Sequence, residues 1–208
     1  GGMRHWPLVY EEPLFRPPSE ADSLILQVTV GCSWNRCTFC AMYRSKSFRV
    51  RPLAEVEAEI QAVAPLAAPF TRVFLADGDA LAAEPTFLEA VLAAIRTHLP
   101  AVRRVGVYGD SRAILRHGAA GLARLRELGL GIVYFGVESG DEATLRAVRK
   151  GATVERQLAA CRAVREAGVK LSVMVLLGLA GTAGARRHAE ASGCFLVGAA
   201  PTYAAALT

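Results

Sequence analysis

Three cysteines fall within nine residues, Cys32-Ser-Trp-Asn-Arg-Cys37-Thr-Phe-Cys40, directly after the apolar run Ser23-Leu-Ile-Leu-Gln-Val-Thr-Val30. That run reads as a strand, so the three thiols sit on a loop at a strand's carboxyl end. Three thiolates there can hold a metal centre that still needs one more ligand. An iron–sulfur cubane bound by three cysteines keeps one iron open to a small molecule, whereas a fourth cysteine would close it. An open coordination position is what distinguishes catalytic from structural metal sites, as it does for zinc. The loop points to an enzyme.

The elements that must position this loop form a regular alternation. After an extended, proline-rich lead (Pro7, Pro13, Pro17, Pro18), residues 24–30 read as the first strand. Further apolar runs predict strands at 72–76, 104–108, 131–135, 170–176 and, more weakly, 202–207. Amphipathic stretches of helical period separate them. Pro52 and Pro85 each open a helix at its first position, and Ser111 can cap a third. The third helix turns Leu115, Leu122, Leu125 and Leu128 inward and ends at Gly129. Two helical pieces, 141–150 and 153–167, end at Gly151 and Gly168, and a weaker helix covers 183–197. Strands apolar along their whole length, alternating with helices, predict a parallel sheet covered by helices. Right-handed crossovers then make it an open doubly wound layer or a curled barrel. Either architecture binds ligands at the carboxyl ends of the strands.

Every unusual polar or glycine cluster falls at one of those ends. Asp77-Gly78-Asp79 comes after the second strand, Gly109-Asp110-Ser111-Arg112 after the third, and Gly136-Val-Glu138-Ser139-Gly140 after the fourth. Leu177-Gly178-Leu-Ala-Gly181 comes after the fifth. Each cluster alone reads as a turn, with glycine for positive φ and Asp or Ser for caps. Together, beside a three-thiol loop, they describe a polar rim. Glu138 suits hydrogen bonding to an amine or to ribose hydroxyls, and Asp79, Asp110 and Arg112 complete a pocket in which Arg112 pairs with a carboxylate. The glycines after strand five lack the ending of a phosphate-binding loop and the spacing of a dinucleotide fingerprint.

Composition narrows the classes. At 208 residues and 52% hydrophobic, the chain can bury a substantial core. The net charge of +5 arises beyond residue 70, because the first seventy residues hold seven basic and seven acidic side chains. One run, Arg44, Lys46, Arg49 and Arg51, is purely basic and reads as a solvated loop or as an anion contact. Five cysteines, an odd number with three clustered, fit reduced thiols better than a secreted disulfide framework. Cys161 and Cys194 read as ordinary buried or spare thiols. The longest apolar run, 171–180, is too short to span a bilayer, and the amino terminus has no apolar signal core. A soluble, cytoplasmic protein with no membrane partner is the expectation.

The string Gly31-Cys32-Ser-Trp-Asn-Arg-Cys37-Thr-Phe-Cys40-Ala-Met-Tyr43, together with the clusters at the strand ends, resembles the radical S-adenosylmethionine superfamily. The resemblance runs from about Leu24 to the end of the chain. It implies an α/β fold, a partial (β/α)6 TIM-like barrel of parallel strands, with residues 1–22 an extended lead and residues 23–208 the core domain. It implies two cofactors: a [4Fe-4S] cluster on Cys32, Cys37 and Cys40, and S-adenosylmethionine chelated to the unique iron. Phe39 would pack near the adenine, Gly78 and Asp79 would meet the amino group, Glu138 would contact polar parts of the cofactor, and Gly178 would lie along the adenosine. An external electron donor such as flavodoxin or ferredoxin would supply the reducing electron. No catalytic side chain is implied, and His5, His98, His117 and His188 need no role.

Three features depart from the common family pattern. Four residues, not three, separate Cys32 from Cys37. The usual Gly-Gly-Glu after strand two is Asp77-Gly78-Asp79, whose acid has less reach. The chain stops at Thr208, at the sixth strand, without a closing helix; the expectation is a fragment, or a core that a partner closes. Two other readings of the chain are a zinc-binding module built on Cys32, Cys37 and Cys40, and a nucleic-acid-binding module built on the basic run. The first lacks a fourth ligand nearby, and the second lacks interleaved aromatics.

Overall fold

Six largely apolar segments pair side by side in chain order, and the strands inside the sheet are buried on both faces. The computed structural model describes residues 5–31, 48–136, 153–176 and 200–207. The strands of the main sheet are β1 (Leu24–Gln27), β4 (Arg72–Ala76), β5 (Arg104–Tyr108), β6 (Leu130–Gly136), β7 (Lys170–Leu176) and β8 (Tyr203–Leu207). They lie in the order β1-β4-β5-β6-β7-β8, and every neighbouring pair is parallel. This is the α/β architecture predicted from the sequence, a partial (β/α)6 TIM-like barrel. All six carboxyl ends therefore share one rim.

Helices cover the outer face. They are α1 (Leu53–Val63), α2 (Pro85–His98), α3 (Ser111–Glu127) and α4 (Val154–Glu166). Apolar residues at helical spacing place Val56, Ile60 and Val63 of α1 and Leu88, Val91, Leu92 and Ile95 of α2 in the core. These pack on the outward side chains of the strands, among them Leu24, Leu26, Val73, Leu75, Val105 and Val107. Each such burial contributes about 1.5–3 kcal/mol. The inner face carries a second cluster: Ile25, Phe74, Ala76, Ile132 and Tyr134, with Tyr10, Leu14 and Tyr108 against it.

Several local expectations are adjusted. The strand predicted over 24–30 is divided: beyond β1, β2 (Thr29–Val30) leaves the main sheet and pairs antiparallel with β3 (Arg49–Val50). Pro52 precedes α1 as its cap residue instead of opening it, whereas Pro85 is the first residue of α2. Asp110, not Ser111, caps α3, its Oδ1 accepting from the Ala113 amide at 2.9 Å. Helix α3 is also broken at Gly118 (φ 67°), so its two segments have different phases. The first buries Ala113 and Ile114, leaving Leu115 only half-buried, and the second buries Leu122 and Leu125 as predicted. Thr153 caps α4, its hydroxyl accepting from the Arg156 amide at 3.1 Å. The helices predicted at 141–150 and 183–197 lie outside the described residues.

The lead is tied to the sheet. Tyr10 donates its hydroxyl to the Ile25 carbonyl (2.9 Å), and the Gln27 side chain bridges Glu11, accepting from its amide (2.8 Å) and donating to its carbonyl (3.1 Å). These contacts lie along the free edge of β1, where unpaired strand groups would otherwise be a template for association. A short 3-10 turn, Pro18–Glu20, then delivers Glu20 to the inner face.

Candidate functional site

The rim is best defined where β4 ends beside the β1–β2 segment. In the parallel register Gln27 stands opposite Ala76, so Asp77 enters its turn alongside Val28 and Thr29. The Val28 amide donates to the Ala76 carbonyl (2.6 Å), and the Asp77 amide donates to the Thr29 hydroxyl (3.0 Å). Asp77 Oδ2 accepts from the Gly31 amide (3.0 Å), while the Gly78 amide donates to the Gly31 carbonyl (3.1 Å). Gly31 has φ 78°, a conformation glycine adopts without steric cost. The residue before Cys32 is thus bonded on both its amide and its carbonyl to the turn that holds Asp79. Asp77 and Asp79 are both fully buried.

A second set of contacts holds the far side of that turn. Asp79 precedes a 3-10 turn, Ala80–Ala82, in which the Ala83 amide takes the Ala80 carbonyl and side chains of α3 take the carbonyls that follow. Arg116 Nη2 donates to the carbonyls of Leu81 (3.1 Å), Ala82 (2.7 Å) and Ala83 (3.0 Å). His117 Nε2 lies 2.8 Å from the same Leu81 carbonyl and donates to it. Burial holds the His117 imidazole below its ordinary pKa, keeping it neutral, against the opposing pull of the Leu81 carbonyl. Gly109 packs so close that a Cβ there would come within 2.7 Å of Leu81 Cδ1.

Asp110 and Arg112 share the rim at the end of β5, but they face each other. Arg112 Nη2 and Nε donate to Asp110 Oδ2 at 2.6 and 3.1 Å, while the other carboxylate oxygen caps α3. Tyr108, the last residue of β5, faces inward just beneath the rim. Its ring meets Phe74 edge-on at 5.0 Å and Tyr134 at 6.3 Å. Burial, then the nearby Tyr134, Asp77 and Glu20, raises its phenol above the ordinary range. Cys161, on the apolar face of α4, is fully buried, and burial pushes its thiol up to about 12, which suits a core side chain and not a metal ligand.

Among the described residues no group of three or more His, Cys, Asp or Glu side chains can hold a metal ion. Three cavities lined wholly by described residues lie away from the rim. One, of about 650 Å³, is bounded by Trp6, Tyr10, Phe70 and β1; another, of about 470 Å³, lies over the amino-terminal starts of β4 to β8; the smallest, of about 110 Å³, lies between the end of α2 and the start of β5. Of the predicted site residues, Gly78, Asp79, Asp110 and Arg112 stand at the rim, whereas Cys32, Cys37, Cys40, Phe39, Glu138 and Gly178 lie outside the described residues. In the basic run, Arg49 pairs with Glu11, and Arg51 pairs with Glu59 (2.9 Å) and Glu55 (3.6 Å). Both arginines are engaged by acids of this chain; Arg44 and Lys46 lie outside the described residues.

The donor set suits a cluster with one open iron: three thiols follow Gly31 in the sequence, and Gly31 itself is bonded to a turn rich in acid and backbone N–H groups. Residues 26–182, well over half of the chain, match the family model of the radical SAM superfamily. The chain belongs to the radical SAM superfamily. No curated protein matches it. Among solved structures, the radical S-adenosylmethionine methyltransferase TsrM from Kitasatospora setae, with cobalamin and a [4Fe-4S] cluster bound, superposes with a TM-score of 0.71 at 19% identity. That alignment covers 89% of this chain and 36% of TsrM. The cobalamin-dependent S-adenosylmethionine radical enzyme OxsB gives 0.67 at 18% identity, over 83% of this chain and 26% of OxsB. Coproporphyrinogen III oxidase (HemN) from Escherichia coli, a radical SAM enzyme, gives 0.68 at 18% identity, over 89% of this chain and 44% of HemN. This radical SAM chain thus spans about a third of the length of TsrM.

Sequence reasoning missed the contacts that support the rim. Thr29, Arg116 and His117 each act through a backbone group of another segment, and no local pattern marks such a partner. Gly31 and Asp77 lie inside motifs visible in the sequence, but their mutual bond spans 46 residues.

Proposed function

We propose that this chain is the core of a radical SAM enzyme that binds a [4Fe-4S] cluster on Cys32, Cys37 and Cys40 and cleaves S-adenosylmethionine reductively. Held there, a reduced cluster would supply the one electron that reductive cleavage of the cofactor's carbon–sulfur bond requires, and hydrogen-atom abstraction from a substrate would follow from it. The chain's residues supply position and charge. Asp79, with the Gly78 backbone, would receive the cofactor's ammonium at the end of β4, in a turn already held by Arg116 and His117. Glu138 would meet its polar groups, Phe39 its adenine and Gly178 its adenosine. Asp110 and Arg112 would border the pocket as a pair, the bond between them lessening the charge either presents to a ligand. The core runs over residues 23–208, and residues 1–22 form the extended lead. An external donor such as flavodoxin or ferredoxin supplies the electron.

The observation that carries this reading is the pair of hydrogen bonds that join Gly31 to Asp77 and Gly78, within the segment that matches the family. It joins the base of the three-cysteine loop to the acidic turn. No helix among the described residues is long and apolar enough to cross a membrane. With clustered thiols that must stay reduced, the chain fits a cytoplasmic setting. The test is anaerobic reconstitution with iron and sulfide, then incubation with S-adenosylmethionine and dithionite. Formation of 5′-deoxyadenosine supports the reading, and a reconstituted, folded protein that forms none overturns it.

A further inference from the structure

We propose that Asp77 is a positioning residue for the metal-binding loop, fixing through Gly31 the point from which Cys32 departs. The proposal rests on the cluster-binding reading above and deepens it. Asp77 is fully buried, and its amide, its carboxylate and the amide after it all act on the β1–β2 segment. Its own amide holds the Thr29 hydroxyl at 3.0 Å, its Oδ2 takes the Gly31 amide at 3.0 Å, and the next amide, that of Gly78, takes the Gly31 carbonyl at 3.1 Å. The Gly31 carbonyl belongs to the peptide that leads into Cys32. A peptide is planar, so fixing its carbonyl fixes the direction in which the loop begins.

Gly31 alone would not hold that direction. Its positive φ is one of many conformations open to glycine, and the loop's first residue would wander without an external constraint. A carboxylate accepting a backbone N–H is a charge-assisted bond, stronger than one between neutral groups, and here it is sheltered from water. The same turn continues into Asp79. One buried side chain therefore ties the base of the cysteine loop to the acid that the cofactor's amino group would meet, and the two parts keep their spacing before any ligand arrives. Such an anchor has a distinct signature. Its loss loosens the cluster without unfolding the sheet, and the conservative amide, which keeps an oxygen for the Gly31 amide, restores most of it.

The experiment compares the parent chain with Asp77→Ala, Asp77→Asn and Thr29→Val. Each is reconstituted anaerobically, assayed for iron and sulfide, and then challenged with an iron chelator while the loss of iron is timed. Thermal unfolding of each apo-protein is recorded alongside. The parent holds about four irons per chain. Asp77→Ala unfolds as cooperatively as the parent when apo but loses iron at least about tenfold faster, the equivalent of one lost hydrogen bond to a charged group. Asp77→Asn, which keeps the acceptor oxygen but not its charge, loses iron more slowly than the alanine variant and at most a few-fold faster than the parent. Thr29→Val, which removes one acceptor without changing shape, loses it a few-fold faster. An Asp77→Ala protein that keeps iron as long as the parent overturns the proposal, as does an Asp77→Asn protein as labile as the alanine variant. Should Asp77→Ala fail to fold, a parent-like rate in Thr29→Val overturns it. A parent that takes up no cluster overturns the underlying reading of the cysteine loop, a result distinct from all of these.

Discussion

Glu20 and Tyr134, 114 residues apart, are hydrogen-bonded across the inner face of the sheet, the tyrosine hydroxyl donating to a carboxylate with no solvent exposure. The same Oε1 also accepts from Arg104 Nη2 at 2.7 Å, and the Ser23 hydroxyl donates to Oε2. Ser19 adds a 3.0 Å contact to the Tyr134 hydroxyl. A charge is rarely buried unless it is both paired and hydrogen-bonded, and Glu20 meets both conditions. The network converts an irregular proline-rich lead into part of the barrel.

Removing one partner of a buried ion pair strands the other, at a cost of about 3–5 kcal/mol. Glu20→Ala is expected to lower the unfolding midpoint of the apo-protein by roughly 10 °C, at about 2–4 °C per kcal/mol for a chain of this size. Differential scanning calorimetry checks it. A midpoint within about 2 °C of the parent contradicts the claim that the lead is anchored through this carboxylate.

The same network makes stability sensitive to alkali. Burial, then the hydrogen bond to Glu20, pushes the Tyr134 phenol up to about 12 from its ordinary value of 10.0. On raising the pH the unfolded chain ionises first, so the contribution of Tyr134 is complete below pH 10.0 and is lost between there and about 12. Tyr108, also raised, acts in the same direction. Urea unfolding as a function of pH should show a steeper loss in this window for the parent than for Tyr134→Phe. Equal slopes would refute the assignment to Tyr134.

The main sheet was legible because parallel strands buried on both faces are continuous apolar runs, and the segments that follow the first five carry glycine or acid at the rim. Residues 72–76 and 104–108 form strands with the predicted bounds. The division of the first strand was not legible. Val28-Thr29-Val30 is as strand-prone as the residues before it, and its partner Arg49–Val50 lies in a basic run that resembles a loop. Helical periodicity continues across Gly118, which hides the kink in α3 because glycine is tolerated within a helical pattern. Asp110 and Ser111 are adjacent residues of equal capping competence, and only the bond to the Ala113 amide distinguishes them. Glu20 gave no signal at all, because a glutamate after two prolines reads as a solvated turn. At the rim, the residue types of Asp77-Gly78-Asp79 revealed the turn, but the bonds that hold it come from Thr29, Gly31 and Arg116, remote in sequence.

Arg116 supplies one guanidinium nitrogen to three consecutive carbonyls behind Asp79. Hydrogen bonds to a charged donor contribute about 1.5–3 kcal/mol, and here the carbonyls at the end of a 3-10 turn have few alternatives. Arg116→Ala is expected to lower apo stability by about 2 kcal/mol. It should also weaken S-adenosylmethionine binding several-fold by freeing the turn that orients Asp79. Calorimetry and equilibrium binding of the cofactor to the reconstituted protein separate the two effects. Unchanged affinity in a destabilised variant would mean that the clamp serves the fold alone.

Cys37 is the middle ligand proposed for the cluster, and its replacement distinguishes iron from the other metal chemistries open to three thiols. A cubane left with two cysteines has too few protein ligands to persist. Cys37→Ala is therefore expected to yield a folded protein with less than about a tenth of the parent's iron and sulfide after anaerobic reconstitution, and without the parent's broad absorption near about 400 nm. Cys161→Ala is the internal control, because that thiol is buried in the helical layer and its loss is expected to leave iron content unchanged. Iron and sulfide equal to the parent in Cys37→Ala would refute the ligand assignment. A parent that binds zinc stoichiometrically and stays colourless under the same conditions would favour a zinc module, because zinc has no redox chemistry to offer the sulfonium.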